Sequence, residues 1–112
     1  MLVTTIFLSR TATQKTFEMT LEAITSLQKS ISSENLEIIL VESNPEYLTS
    51  GFEYPADVRV ILPNEPFNFH RFLNFGIQQS KGDYLVLSNN DVLFHPQWME
   101  EILKVSQAHP EI

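Results

Sequence analysis

The segment Leu2-Val3-Thr4-Thr5-Ile6-Phe7-Leu8-Ser9-Arg10, together with the stripe that comes after it, decides the reading of the fold. Leu2 to Leu8 is short, β-branched and almost continuously apolar, the pattern of a strand buried on both faces. Behind it Phe17, Leu21, Ile24, Leu27 and Ile31 recur at steps of three or four, which marks one face of a helix, with Glu18, Glu22, Gln28 and Lys29 on the polar side. A two-face-buried strand feeding an amphipathic helix is the opening of a parallel sheet.

The same alternation continues outward. Leu36 to Val41 is a second apolar run, and it stops at Glu42-Ser43-Asn44-Pro45, where Pro45 biases Asn44 away from helix. After a short turn or helix, Val58-Arg59-Val60-Ile61-Leu62 predicts a third strand, closed by Pro63-Asn64-Glu65-Pro66. Phe69, Phe72, Leu73, Gly76 and Ile77 make a second helical stripe, with Asn68 as its expected N-cap and Gly82 as its expected stop. Tyr84 to Leu87 predicts a fourth strand, and Pro96 opens a last helix whose apolar face is Met99, Ile102 and Leu103. This order predicts an α/β fold with a mostly parallel sheet and helices on both faces. In such sheets a ligand lies outside the carboxyl ends of the strands. Ser9, Arg10, Glu42 to Asn44, Asn64, Glu65 and Ser88 to Asp91 are the polar residues expected there.

With 112 residues and 43% hydrophobic content the chain suffices for one core, and no linker or repeat divides it. The net charge of −7 argues against a nucleic-acid partner, whose affinity comes mainly from Lys and Arg neutralising phosphates. Absence of cysteine removes disulfides, thiolate metal sites and cysteine nucleophiles, and fits a reducing compartment. The apolar start meets Ser9-Arg10 too soon for a membrane span and lacks a basic leader, so a soluble, cytoplasmic protein is expected. Gly51, Gly76 and Gly82 are too scattered for a dinucleotide fingerprint or a P-loop, and neither a histidine pair of metal spacing nor a serine elbow occurs.

The chemistry concentrates in Lys81-Gly82-Asp83-Tyr84-Leu85-Val86-Leu87-Ser88-Asn89-Asn90-Asp91. An aspartate with carboxamide neighbours at the mouth of a buried strand suits one Mg²⁺ or Mn²⁺ that takes its other ligands from water and a diphosphate. The same residues also read as a polar turn, which Asn and Asp favour for local reasons.

Asn74-x-Gly76 followed by Gly82-Asp83 and the strand into Asn89-Asn90-Asp91 resembles the approach to the D-x-D motif of family 2-like glycosyltransferases with the GT-A fold, many of which write that motif N-N-D. Phe67-Asn68 with Leu73-Asn74-x-Gly76 is similar to the corresponding region of β-1,4-galactosyltransferases, and Pro96-x-Trp98-Met99 resembles the helix entry beyond the motif in bacterial members. The resemblance implies a Rossmann-like GT-A domain over residues 1–112 that binds a nucleotide-diphospho-sugar and serves transfer of the sugar to a saccharide or other hydroxyl acceptor. It also implies a divalent cation, Mg or Mn, held by Asp91. Asn89 stands where many relatives carry an acid, and Asn90 beside it. Glu42 stands where relatives often hold the base or ribose with an aspartate one methylene shorter. Ser9 and Arg10 match the nucleotide-lining loop after the first strand, Asn64 a position that commonly faces the base, and Arg71 with His70 a place from which a basic side chain reaches a phosphate.

Plainer roles stand beside these. Glu42 also reads as a solvated strand end, Arg10 and Arg71 as surface charges, and Phe67, Phe69, Phe72, Phe75 and Trp98 as packing residues, with stacking on a sugar as the alternative. The resemblance further implies a C-terminal half carrying the acceptor pocket and general base, and a sheet edge left uncovered without it predicts self-association. A non-catalytic nucleotide-binding module and an α/β interaction domain are the alternative functions.

Overall fold

Consecutive β-branched and aromatic residues make Val3–Ser9 a strand, β1, with both faces covered. In the computed structural model, which describes residues 2–63 and 65–89 (Asn89 by its backbone alone), the chain continues through α1 (Gln14–Ser30), β2 (Leu36–Glu42), β3 (Val58–Ile61) and α2 (Phe69–Gln79) to β4 (Tyr84–Asn89). Single 3₁₀ turns occupy Ser33–Asn35 and Tyr47–Thr49. The strands lie in the order β3-β2-β1-β4, and every pairing is parallel. The helix expected from Pro96, with Met99, Ile102 and Leu103, lies outside the described residues.

Direction along the sheet explains the two layers of helix. The chain steps from β1 outward to β2 and β3, then returns past β1 to β4, so right-handed crossovers place α1 and α2 on opposite faces. Successive residues of β2 divide accordingly. Ile38 and Leu40 join Val3, Phe7, Ala23, Ile24 and Leu27 under α1, whereas Ile39 and Val41 join Ile6 and Phe72 under α2. Each of the Val, Leu, Ile and Phe side chains contributes about 1.5–3 kcal/mol when fully buried. The inward face of α1 is wider than its hydrophobic stripe, because Thr20 and Ala23 are buried with Ile24 and Leu27.

Both helices begin on caps. The Thr13 side chain accepts from the Thr16 amide at 3.1 Å, and Asn68 Oδ1 accepts from the Arg71 amide at 3.0 Å, the cap its sequence position predicts. The end of α2 differs from expectation. It stops at Ser80, which turns extended and whose amide donates to the Ile77 carbonyl, so Gly82 is not the helix stop.

Gly82 is needed for a different reason. Its amide donates to Thr4 Oγ1 at 2.9 Å, and a Cβ there would strike Thr4 Oγ1 and lie 2.7 Å from the Thr4 amide nitrogen. Thr4 Oγ1 in turn donates to Glu37 Oε1 at 2.7 Å, which also accepts from the Lys81 amide at 2.8 Å. These bonds, with Asp83 N donating to Leu2 O at 2.7 Å, clip the amino ends of β1, β2 and β4 together. On the flank of β4 the described residues supply no further strand, and Leu85 and Leu87 are exposed.

The Gly82→Ala variant is expected to lose about 1–3 kcal/mol of stability, because the Thr4 backbone nitrogen, which cannot swing aside, blocks the new methyl together with the Thr4 hydroxyl. A urea midpoint unchanged from the parent would contradict that account.

Candidate functional site

Register alone brings the carboxyl ends of all four strands to one end of the sheet. Ser9 is paired with Glu42, Leu8 with Asn89, and Val41 with Ile61. Beyond these pairs the chain leaves the sheet in loops, and two of the loops are tied to each other at once. Ser43 donates from its amide to Ser9 O at 2.8 Å and from its hydroxyl to the same oxygen at 3.0 Å.

The tie is made by Glu42, which is only 2% exposed. Its Oε2 accepts from the Thr11 amide at 2.8 Å and from the Asn44 amide at 2.9 Å, and its Oε1 accepts from the Thr11 hydroxyl at 2.5 Å. A carboxylate taken from water loses several kcal/mol of hydration, and three donors to a charged acceptor, at about 1.5–3 kcal/mol each, are of the size needed to offset it. Because the single Thr11 proton goes to Glu42, the Tyr54 hydroxyl, 2.7 Å away, donates to Thr11 Oγ1. Asn44 closes the ring by donating from Nδ2 to Thr11 O at 2.7 Å and accepting at Oδ1 from Glu46 N.

Burial raises the Tyr54 phenol above its ordinary 10.0, and the negative Glu42 adds to the effect while bonds to Thr11, Thr20 and Ser9 oppose it. Tyr47, stacked on Tyr54 at 6.0 Å between ring centroids, is raised chiefly by burial as well.

Above this network opens a cavity of about 710 Å³, inside the range of about 300–1,000 Å³ typical of small-molecule sites. Arg10, Glu42, Ser43, Asn44 and Glu65 form its polar wall. Pro45, Leu48, Leu62, Pro63, Pro66 and Phe67 form its apolar wall, with the buried Phe72 behind.

The sequence-selected residues separate on this geometry. Arg10 and Glu42 share the cavity, whereas Ser9, 5% exposed, sits beneath it and holds Ser43. Glu42 is not the solvated strand end that its sequence position also allowed. Arg71 lies off the wall, ion-paired with Glu65 and placed 5.5 Å over the Phe75 ring. His70 is exposed beside Phe69. Asn64, Asn90 and Asp91 lie outside the described residues, and Asn89 is placed by its backbone at the end of β4 next to Leu8. Among the described residues no cluster of three or more His, Cys, Asp or Glu side chains is gathered to hold a metal ion.

Sequence reasoning did not select Thr11, Leu48 or Leu62, and it read Phe67 as a packing residue with stacking on a sugar as the alternative. The last three lie beyond strand ends, so the carboxyl-end rule was the available signal. Thr11 has no local signature, since its importance comes from a partner 31 residues away.

Comparison with known proteins places this geometry. Residues 11–112 match the family model described as glycosyl transferase family 2. Over 82 residues the chain is 30% identical to a Haemophilus influenzae protein described as an uncharacterized glycosyltransferase, covering 72% of this chain and 28% of that one. The crystal structure of S. aureus TarS 1-349 in complex with UDP-GlcNAc superposes with a TM-score of 0.74 at 16% identity, over 98% of this chain and 32% of that one. A second crystal structure of S. aureus TarS 1-349 gives 0.71 at 14% identity, over 98% of this chain and 33% of that one. The chain thus spans about a third or less of the length of these relatives. Among the described residues no helix is long and apolar enough to cross a membrane.

Two outcomes are expected from the network. Glu42→Ala leaves the Thr11 and Asn44 amides without their acceptor and should lower stability by about 2–4 kcal/mol, against about 1 kcal/mol for Glu42→Gln, as read from urea denaturation. Raised phenols favour the folded state while protonated, so their contribution is full below pH 10 and is lost as pH rises through the raised values. Stability should therefore fall above pH 10, more shallowly in Tyr54→Phe, with tyrosinate absorbance followed alongside the urea midpoint.

Proposed function

Because the chain belongs to glycosyl transferase family 2, we propose that it forms the nucleotide-diphospho-sugar-binding portion of an enzyme that transfers the sugar to a saccharide or other hydroxyl acceptor. The observation that carries this reading is the cavity over the carboxyl ends of β1, β2 and β3, beside the β1–β4 boundary at which the strand order reverses. Open parallel sheets bind their ligands at such a reversal. The similar TarS structure is a complex with UDP-GlcNAc, which supports the same ligand class.

Charge distributes the roles. In a chain of net charge −7, an anionic donor needs local cations, and Arg10 is the cationic side chain of the cavity wall. We assign it to the diphosphate. Glu42 acts from below, holding Thr11 and Asn44 so that the loops after β1 and β2 keep one shape. Asn64, Asn89 and Asn90 belong to the donor site on their sequence positions, and Ser9 supports the floor through Ser43. Arg71 would reach a phosphate only by leaving Glu65.

For the divalent cation, the donor set that fits is Asn89-Asn90-Asp91, whose oxygens suit Mg²⁺ or Mn²⁺ and whose first residue ends β4 beside Leu8. Asp91 would supply the charged ligand, and the bound ion would neutralise charge developing on the diphosphate. In the transfer, the acceptor oxygen bonds to the anomeric carbon as the bond to the diphosphate oxygen breaks, and the diphosphate leaves with the electron pair. The acceptor proton passes to a base, a role no residue here is assigned. The absence of cysteine fits a cytoplasmic setting, and the exposed Leu85 and Leu87 on β4 fit self-association along that flank.

Calorimetric titration with UDP, GDP and dTDP, with and without Mn²⁺, tests the assignment. Binding that strengthens with Mn²⁺, loses that dependence in Asp91→Ala and weakens about tenfold in Arg10→Ala is expected. Absence of binding by all three nucleotides in the folded chain would overturn the reading.

A further inference from the structure

Among the described residues the cavity wall carries one cation, Arg10, and two acids, Glu42 and Glu65. The two acids are held differently. Glu42 is buried and accepts from the Thr11 amide and hydroxyl and from the Asn44 amide, so its partners belong to the floor of the cavity. Glu65 stands on the wall with its side chain 30% exposed, and its carboxylate is ion-paired with Nε of Arg71, which lies off the wall on the first turn of α2.

Arg71 is placed to keep that partner. Its amide donates to Asn68 Oδ1 at 3.0 Å, which fixes its backbone in the cap of α2, and its guanidinium lies 5.5 Å over the Phe75 ring. Phe67, two residues after Glu65, stands edge-on against the buried Phe72 with 5.1 Å between ring centroids, so the wall segment from Glu65 to Phe67 is fastened to α2 at both ends. An exposed ion pair adds little to stability, because solvent screens it and two long side chains are ordered to make it. The Arg71 side chain is 62% exposed, so the fold gains little from this pair. The cavity gains more, since a carboxylate without its partner would face whatever anion Arg10 attracts.

We propose that Arg71 acts on ligand binding through Glu65: as a positioning residue it holds the Glu65 carboxylate in an ion pair and offsets a negative charge that would otherwise repel the diphosphate, without itself touching the ligand. The proposal rests on the nucleotide reading of the cavity and adds to it a residue outside the wall. Like charges facing each other in a partly water-excluded cleft repel strongly enough to change an affinity several-fold, and the effect falls as salt screens it. In a chain with 7 Lys and Arg against 14 Asp and Glu, Glu65 without Arg71 would add to an excess of negative charge already present.

Calorimetric titration of the whole chain with UDP, Mn²⁺ held constant, tests this in the parent, Arg71→Met, Arg71→Lys, Glu65→Gln and the double variant Glu65→Gln/Arg71→Met. Methionine keeps an unbranched stem beside Phe75 and removes the charge, and because the Arg71 side chain is mostly in water the thermal midpoint should be unchanged. Arg71→Met should weaken UDP about fivefold at about 0.02 M NaCl and less than about twofold at about 0.5 M, while Arg71→Lys keeps the parent affinity. In the Glu65→Gln background the same Arg71→Met change should have no effect. Equal weakening in both backgrounds would overturn the proposal, because the arginine would then meet the phosphate itself. A loss that salt does not diminish would overturn it as well, since the pair would then serve only to shape the segment from Glu65 to Phe67, and so would parent affinity in Arg71→Met. Failure of UDP to bind the parent chain is a different result, and it overturns the nucleotide reading itself.

Discussion

A carboxylate held out of water at the end of β2 is the constraint on which the working end of this protein depends. Glu42 accepts from two amides and one hydroxyl drawn from the loops after β1 and β2, and through Thr11 it also orders Tyr54. Each of those donors would otherwise need another acceptor, and the loops would be tied to each other only through Ser43 and Asn44. The cavity therefore inherits its floor from one buried acidic side chain whose partners are separated from it by 2 residues on one side and 31 on the other.

The same strand is fastened near its other end. Glu37, second in β2, accepts from Thr4 and from the Lys81 amide, while Gly82 approaches β1 so closely that only a hydrogen fits. Between the two acidic fastenings the strand is wholly apolar, with alternate residues feeding the cores under α1 and α2. Parallel pairing is slightly less stable per residue than antiparallel pairing. Carboxylates at both ends of β2 pin the register that packing alone sets in the middle.

Function depends on the capacity those fastenings leave free. Among the described residues the cavity wall carries one cation, Arg10, beside a wall of aliphatic and aromatic surface.

The run of residues by itself determined the α/β alternation, because burial on both faces and a helical stripe leave periodic marks within a few positions, and it determined the Asn68 cap for the same local reason. The N-N-D segment that begins with the last residue of β4 and its approach were enough to indicate the family, since side-chain order there is itself the signal. Only the tertiary structure decided that Glu42 is a buried tie, that Gly82 is a close contact and not a helix stop, and that Leu48 and Phe67 share a cavity with Arg10. Those outcomes depend on partners tens of residues apart, brought together by parallel register, and no local pattern encodes whether a polar side chain at a strand end meets water or the loop of its neighbour.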